Sequence, residues 1–477
     1  MHKAAVLSEE ELKKINSTSL KILNEVGIGF HYDYALDLFK KAGFKVDNGK
    51  VFFTEEQVDE YVSKAPSFFT VKAMNPEKNI PIGRGYISFA PGYGSPFIVE
   101  EGCNRQATLS DFRNFAILTG SSPHIDFSGG ILLDMKDVPA DIKHKVGILE
   151  LLRHSDKPFM GSSDGARGAK DSIKMAEIVF GEDFVANKPV MVNLINANSP
   201  LAYSKTSLES MIEYSKVSQP LIISSITMAG ATAPATLAGA LALQNAEVLA
   251  GIVFSQLINP GNPVIYGGAS AVTDMQDGEL SVGGGETVLF ATASAQLARE
   301  YNLPVRGGGG SVTDAKIHDN QSSQESGMTL LGTVAADTDF ILHAAGSLQF
   351  YNAMSYEKFI FDEDLCGTMK YIKKGLNIDE EKLAFDVIKE VGCCGEFLSN
   401  IHTFNHFREE FHFPKVSDRH TYSKWVDMGS NESLEVAKRM LKERLEENRN
   451  KNYLDSTTEK QLMKYAGLDE KDNLTAS

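Results

Sequence analysis

The sequence predicts an α/β protein built on a TIM-type (β/α)8 barrel, and three observations carry that prediction. From about residue 110, apolar β-like runs alternate with helix-compatible segments. Most of these runs begin just after a proline, and most end in small or polar residues. The runs occupy 125–133, 158–162, 189–196, 220–228, 263–269, 303–307 and 339–344; the helical segments between them occupy 142–153, 169–180, 207–217, 234–257, 286–300 and 324–336. Strands that alternate with helices form parallel sheets. Runs that are apolar through their middles suit strands covered on both faces, and a proline at a strand's first position costs no ladder hydrogen bond. The endings Gly161-Ser162, 196–199, Gly267-Gly268 and 307–310 gather open space at the carboxyl ends, which is the working face of such folds. Seven strands are identifiable and the eighth is not placed; a doubly wound open sheet is the alternative.

Ahead of the rhythm, Ser8 and Glu11 form a capping box for a first helix, whose apolar face is Leu12, Ile15, Leu20, Ile22, Leu23 and Val26 at helical spacing. Helices are expected at 34–41 and 55–63, then short β-like runs from 69 to 101, among them ISFAPGY at 87–93. After 355 the chain turns helical, and 432–448 carries Leu434, Ala437, Leu441 and Leu445 among charges, an amphipathic helix suited to packing on the barrel or on another subunit. Residues 1–109 are therefore expected to form a helical and β lobe packed on the barrel, 110–354 the barrel, and 355–477 a helical extension that completes or covers it.

A net charge of −16 argues against nucleic acid or an anionic membrane as a partner. No apolar run is expected to reach the roughly 18 residues that span a bilayer, and MHKAAVLSEEE lacks the apolar core of a signal peptide. A cytoplasmic location is expected. Cys103, Cys366, Cys393 and Cys394 form no disulfide framework. Cys393 and Cys394 read as buried thiols rather than metal ligands, because no second ligand pair stands at the required spacing.

Residues 306–325, RGGGGSVTDAKIHDNQSSQE, concentrate the chemistry. Four consecutive glycines extend neither strand nor helix well, and they let the backbone approach a ligand closely. A phosphate cradle is disfavoured, since no Gly-Lys-Ser/Thr follows the run. His318 and Asp319 diverge as neighbours, and no HExxH or spaced Cys/His set accompanies them. His402 and His406 stand at i, i+4, but Phe404, Phe407 and Phe411 interleave with them, so a packing helix is the better reading than zinc. A G-x-S-x-G hydrolase elbow is also missing from the sequence.

Several blocks resemble the trimethylamine methyltransferase family. The longest is PLIISSITMAGATAPATLAGALALQNAEVLAGIVFSQLINPGNPVIYGG at 220–268; NLINANSPL at 193–201, the 306–325 segment, 343–345 with SYEKFIF at 355–361, and 395–425 accompany it. The resemblance implies a barrel that moves a methyl group from an amine to the cobalt of a separate corrinoid protein. Every position here is a standard residue, so the chain resembles the non-pyrrolysine branch, whose members act on quaternary amines such as glycine betaine, proline betaine and carnitine. The 307–310 region is where that resemblance points for the glycine standing in place of pyrrolysine.

A quaternary ammonium carries its own leaving group, so the protein needs neither a metal nor a general acid and has only to aim the substrate and exclude water. The corrinoid is expected on the partner, with no cofactor held by this chain. Aromatic faces suit the cation, each contact contributing roughly 0.5 to 2 kcal/mol, and Tyr93, Phe350, Tyr351, Tyr356, Phe404 and Phe407 are candidates. A betaine carboxylate also needs a partner, for which Arg306 is the expected bidentate clamp. A structural salt bridge from Arg306 to Asp314 or Glu325 is the alternative. His343, at the end of the next strand, either shares the carboxylate or is a hydrogen-bonded core histidine. Gly309, Gly310, Asp314 and Glu325 complete the expected substrate-lining set, with Gln321 beside them; Asp314 is the one possible catalytic group, and capping or loop support is the competing role for all three polar residues. Asn196 and Asn198 end a strand, where turn formation explains asparagine equally well. A homo-oligomer is compatible with the long apolar helices.

Overall fold

The computed structural model describes residues 3–468; the last nine positions of the expected C-terminal extension lie outside them. Its centre is an all-parallel ladder of seven strands in the order Ser88–Phe89, Phe340–Ile341, Val305–Gly307, Val264–Gly268, Leu221–Ser225, Met191–Asn196 and Phe159–Met160. Six of these fall within the runs read from the sequence. The seventh, Ser88–Phe89, corrects the expectation that everything before residue 110 packs outside the barrel: the 87–93 run supplies a strand that pairs with Phe340 and Ile341. The 125–133 run forms no regular strand, yet it lies between the ladder's two edges. Asp126 and Phe127 donate backbone N–H groups to Phe89 O at 2.8 and 3.2 Å, while Ser128 donates to Pro158 O at 2.9 Å and Met160 donates to Gly129 O at 2.7 Å. Glycines at 129 and 130 and the side-chain bond from Phe89 N to Asp126 Oδ2 replace a repeating ladder there.

Alternation along the strands separates two cores. Leu221, Ile223, Val264, Tyr266, Val305 and Ile341 join the large outer cluster between sheet and helices. Val192, Leu194, Ile222, Ile265, Phe340 and Leu342 join an inner cluster with Ala90, Phe127 and Met160. The amino-terminal end of the inner cluster is plugged by a hairpin, Phe69–Val71 with Ile80–Ile82, whose Phe69, Val71 and Ile82 are buried in it. Lys72 N donates to Pro189 O just before a strand begins, which fixes the plug at that end. The carboxyl ends are left for chemistry.

The capping box of Ser8 and Glu11 forms, opening the helix Glu9–Lys21, with Leu12 and Ile15 buried; Val26 is exposed and does not share that face. The helix Leu237–Ile258 is long and apolar enough to cross a membrane by length and composition, contrary to the expectation from the sequence. Most of its apolar length is buried inside this fold, packed on the strands Leu221–Ser225 and Val264–Gly268 and on the first helix. Helix Ser433–Asn448 packs on Leu109–Ser121 and Tyr356–Lys374, as its amphipathic pattern predicted, with Ala437 buried and Arg444 paired to Glu363 at 2.5 Å. Cys393 and Cys394 are exposed rather than buried, because the stretch that carries them packs on no core.

Candidate active site

The strand register builds the site. Ser224 pairs with Gly267, Gly267 with Arg306, and Arg306 with Phe340, so these four residues form one row across the sheet. Since Val305 faces outward, alternation turns Arg306 inward, above the inner core. Gly267 has no side chain to obstruct it, and the guanidinium crosses that gap until Nη1 lies 3.5 Å from Ser224 Oγ. That is the limit of a hydrogen bond. Arg306 is 3% exposed, and its Nε has no hydrogen-bond partner among the described residues.

The competing salt bridge is not made. Asp314 accepts from Ser281 Oγ at 2.6 Å and from Val282 N at 2.8 Å. Glu325 accepts from Thr313 Oγ1 at 2.6 Å, Asp314 N at 2.8 Å and Gln321 Nε2 at 2.9 Å. Both carboxylates fasten the loop that follows the glycines to its neighbours. Burial pulls the guanidinium below its ordinary value, opposed by the nearby Tyr351; arginine's intrinsic basicity keeps it charged all the same. The site therefore contains a buried cation with no anion from the described residues.

His343 stands beside it. Its backbone sits at φ 59°, and its ring lies 4.3 Å from that of Tyr351, centre to centre. Burial, and then the Arg306 charge, push the imidazole well below its ordinary value. It is neutral at pH 7. It can donate or accept one hydrogen bond but brings no positive charge to a carboxylate; Nδ1 is 3.4 Å from Ser347 Oγ. Tyr351, at φ 78°, is raised by burial and remains a neutral phenol.

The close approach allowed by the glycine run is to neighbouring protein. Gly308 N donates to Gly268 O, and a Cβ on Gly308 would stand 2.8 Å from Ala269 Cα. A Cβ on Gly310 would meet Leu342 O at 2.5 Å, and Gly309 sits at φ 90°. Thr329 and Thr333 hydroxyls bind the carbonyls of Gly310 and Gly309 at 2.8 and 2.9 Å. The run thus packs Arg306's loop flat against the adjoining strand ends.

Tyr93 follows the Ser88–Phe89 strand and lines a cavity of about 450 Å³ over the next strand ends. Gly130, Met160, Ser163, Leu194 and Asn196 also line it, with Phe112, Ile131 and Met135 on the helix side. Burial pushes the Tyr93 phenol up to about 12, against the effect of a hydrogen bond with Ser163.

Phe350 packs, like Tyr351, against Ala271, Val282 and Val312, and Lys316 Nζ lies 4.6 Å from its ring centre. The remaining candidates lie elsewhere. Tyr356 stacks on Phe115 at 4.6 Å and donates to Asp111 at 2.7 Å, packed against the outer cluster between sheet and helices. Phe404 is exposed, and Arg408 lies over both it and Phe407. Asn198 Oδ1 accepts from Ser204 N at 2.9 Å, a turn role. Asp319 caps the helix Asn320–Ala335 while His318 bonds Ser322, and no group of three metal-competent side chains occurs among the described residues. Ser224 escaped notice in the sequence; its signal was a small polar residue ending an apolar strand, one register step from a glycine.

The chain matches the family model described as trimethylamine methyltransferase (MTTB) over residues 1–471. It is 46% identical over 436 residues to the glycine betaine methyltransferase of Desulfitobacterium hafniense (strain Y51), covering 91% of this chain and 90% of the relative. To the proline betaine:corrinoid methyltransferase of Eubacterium limosum it is 35% identical over 428 residues, 87% of each chain. Among solved structures, the monomethylamine methyltransferase MtmB of Methanosarcina barkeri superposes with a TM-score of 0.51 at 12% identity, over 94% of this chain and 96% of that one. That likeness concerns the fold.

Proposed function

The chain belongs to the trimethylamine methyltransferase family, and from that premise we propose that it demethylates glycine betaine to dimethylglycine, handing the methyl group to cobalt(I) of a separate corrinoid protein. The observation that carries this reading is Arg306, a buried guanidinium without a carboxylate partner among the described residues. Burying an unpaired charge is costly, so a fold that keeps one favours a ligand that supplies the opposite charge. A betaine does so with its carboxylate, and trimethylamine has none. Ser224 and neutral His343 stand ready to complete the carboxylate's hydrogen bonds.

The cation would then lie against Tyr351 and toward Tyr93. Because both phenols are raised by burial, they present neutral aromatic faces rather than phenolates. This matters for rate. Nitrogen loses its charge as the methyl leaves, so a site that gripped the ammonium strongly would favour the ground state over the transition state. Holding the substrate by the carboxylate end and only loosely by the ammonium avoids that penalty. Reduced cobalt on the partner supplies the nucleophile, and the neutral tertiary amine departs without a proton. We read the doubly bonded 126–129 segment as the eighth stave of a closed barrel, which leaves the carboxyl ends as the entry for both substrate and corrinoid.

Proline betaine and carnitine share the carboxylate and need a wider pocket. Incubating the protein with each betaine, a reduced corrinoid protein and reductant is expected to produce methylcobalt spectra fastest with glycine betaine, with dimethylglycine as the demethylated product. Binding of every betaine without methyl transfer to any corrinoid partner would instead identify a non-catalytic binding protein.

A further inference from the structure

The row of residues that carries Arg306 does not stop at Ser224. Asn196, at the end of the strand Met191–Asn196, pairs with Ser224, so Arg306, Gly267, Ser224 and Asn196 stand side by side across four strands. Alternation turns Asn196 to the same inner face as Val192 and Leu194. The Arg306 guanidinium already reaches Ser224, and adjoining strands are about 4.8 Å apart. Asn196 lies one such step further on, and with Tyr93 it lines the cavity of about 450 Å³. A carboxylate held between Arg306 and Ser224 therefore has this cavity beside it.

Ligands well above the size of glycine betaine occupy cavities of this class, about 300 to 1,000 Å³ and mostly apolar, whereas the head of glycine betaine is three methyls on one nitrogen. The lining is suited to hydrocarbon. Met160 and Leu194 form its barrel side, with Phe112, Ile131 and Met135 across from them. The charged groups on its wall do not ask for a second charge: Lys143 is paired with Asp134 at 2.5 Å, His144 with Asp171 at 2.7 Å, and Asp164 is exposed to solvent. Arg306 is different, because its charge is buried and unpaired among the described residues. One end of the composite site thus selects an anion and the other an apolar group.

We propose that the cavity is a side pocket for an apolar substituent on the substrate nitrogen, so that the site takes N-alkyl-N,N-dimethylglycines, betaines in which a short alkyl chain replaces one methyl. The proposal rests on the betaine reading above and deepens it. With the carboxylate on Arg306 and the chain in the cavity, two of the nitrogen's substituents are fixed, and a methyl is left to face the open carboxyl ends, as in-line transfer requires. The N–CH3 bond breaks with its electron pair staying on nitrogen. Cobalt(I) of the corrinoid protein supplies the pair for the new bond and becomes methylcobalt(III), and neutral N-alkyl-N-methylglycine leaves. Glycine betaine reaches the cavity only with a methyl.

Calorimetry of the full-length protein with the N-ethyl, N-propyl and N-butyl members of the series tests this without turnover. Each methylene buried in the cavity is expected to tighten binding about fourfold, so the butyl compound should bind more tightly than glycine betaine. Ile131→Trp, which adds bulk on the helix side of the cavity, is expected to lower the ratio of butyl to glycine betaine affinity about tenfold or more. Ala140→Trp, at an exposed lining position, gives the same reading if the first variant fails to fold. Affinity that stays flat or falls along the series would overturn the proposal, and so would a gain that survives the tryptophan substitution. Failure of the betaine reading itself has another signature: glycine betaine would bind the wild type no better than Arg306→Met, whatever the chain length does.

Discussion

Two buried cations lie on either side of the same loop, and the fold treats them in opposite ways. Lys358, on the helix Tyr356–Lys374, donates to Asp362 Oδ2 at 2.6 Å, Ser311 O at 2.9 Å and Ser326 Oγ at 2.9 Å. Asp362 in turn accepts from Gly346 N at 2.8 Å. All three ammonium donors are satisfied, and one ion pair ties the end of the glycine run to the turn after His343. Arg306, at the start of that run, has five donors and reaches one hydroxyl at the limit of bonding. Chain folding satisfies a buried charge wherever structure is its purpose. The contrast assigns Lys358 to holding the loop and Arg306 to holding something that arrives.

The largest effect is expected from Arg306→Met. Removing one partner of a desolvated, hydrogen-bonded charge pair costs about 2 to 5 kcal/mol, so glycine betaine affinity measured by calorimetry should fall by roughly a hundredfold or more. The melting temperature should hold or rise, because an unpaired buried charge has been removed from the free protein. Lys358→Met should behave in the opposite sense, losing about 3 kcal/mol of stability in urea denaturation as Asp362 is left without its cation. Pairing it with Asp362→Leu should restore most of that loss. If Lys358→Met instead abolished betaine binding with stability intact, the division of labour between the two cations would be wrong.

Smaller effects follow from the neutral histidines. Burial, with Lys358 nearby, pushes His318 down to about 4 from 6.5. At pH below 6.5 the unfolded chain takes up a proton there that the folded chain refuses until about pH 4. Its contribution to stability is therefore full above 6.5 and lost as pH falls through that window, by up to about 1.4 kcal/mol per pH unit. Replacing it by Phe, beside Phe361, should flatten the acid limb of a melting-temperature profile. The smallest change expected is at Asp314→Asn. Weakening two loop bonds costs about 1 kcal/mol, and because Asp314 is bound to Ser281 and Val282, methyl-transfer rates should change little; a collapse of turnover with stability preserved would return it to the catalytic set.

Strands and helices were legible in the sequence because hydrophobic period and proline placement are local signals. Six strands of the ladder and the helices between them follow from those alone. The 87–93 run was read as β-like, but its place in the ladder was hidden because it pairs with Phe340 and Ile341, about 250 residues away and ahead of the alternating region, and the 126–129 segment because its hydrogen bonds are made by an irregular, glycine-bearing stretch. Arg306 was legible as a clamp from its position at a strand end, but its solitude was not, since the alternative partners Asp314 and Glu325 are equally near in sequence. The alignment of Ser224, Gly267 and Arg306 depends on register across three strands, which no single segment encodes. Tyr356 misled because an aromatic residue at a helix start looks the same whether it faces a pocket or, as here, Phe115.

The measurement closest to the central claim compares glycine betaine with its methyl ester, which keeps the quaternary ammonium and loses the negative charge. Calorimetry on the wild-type protein should show the carboxylate form bound about a hundredfold more tightly, and Arg306→Met should bind the two alike. Equal binding of acid and ester by the wild type, or a preference that survives in Arg306→Met, would contradict the account.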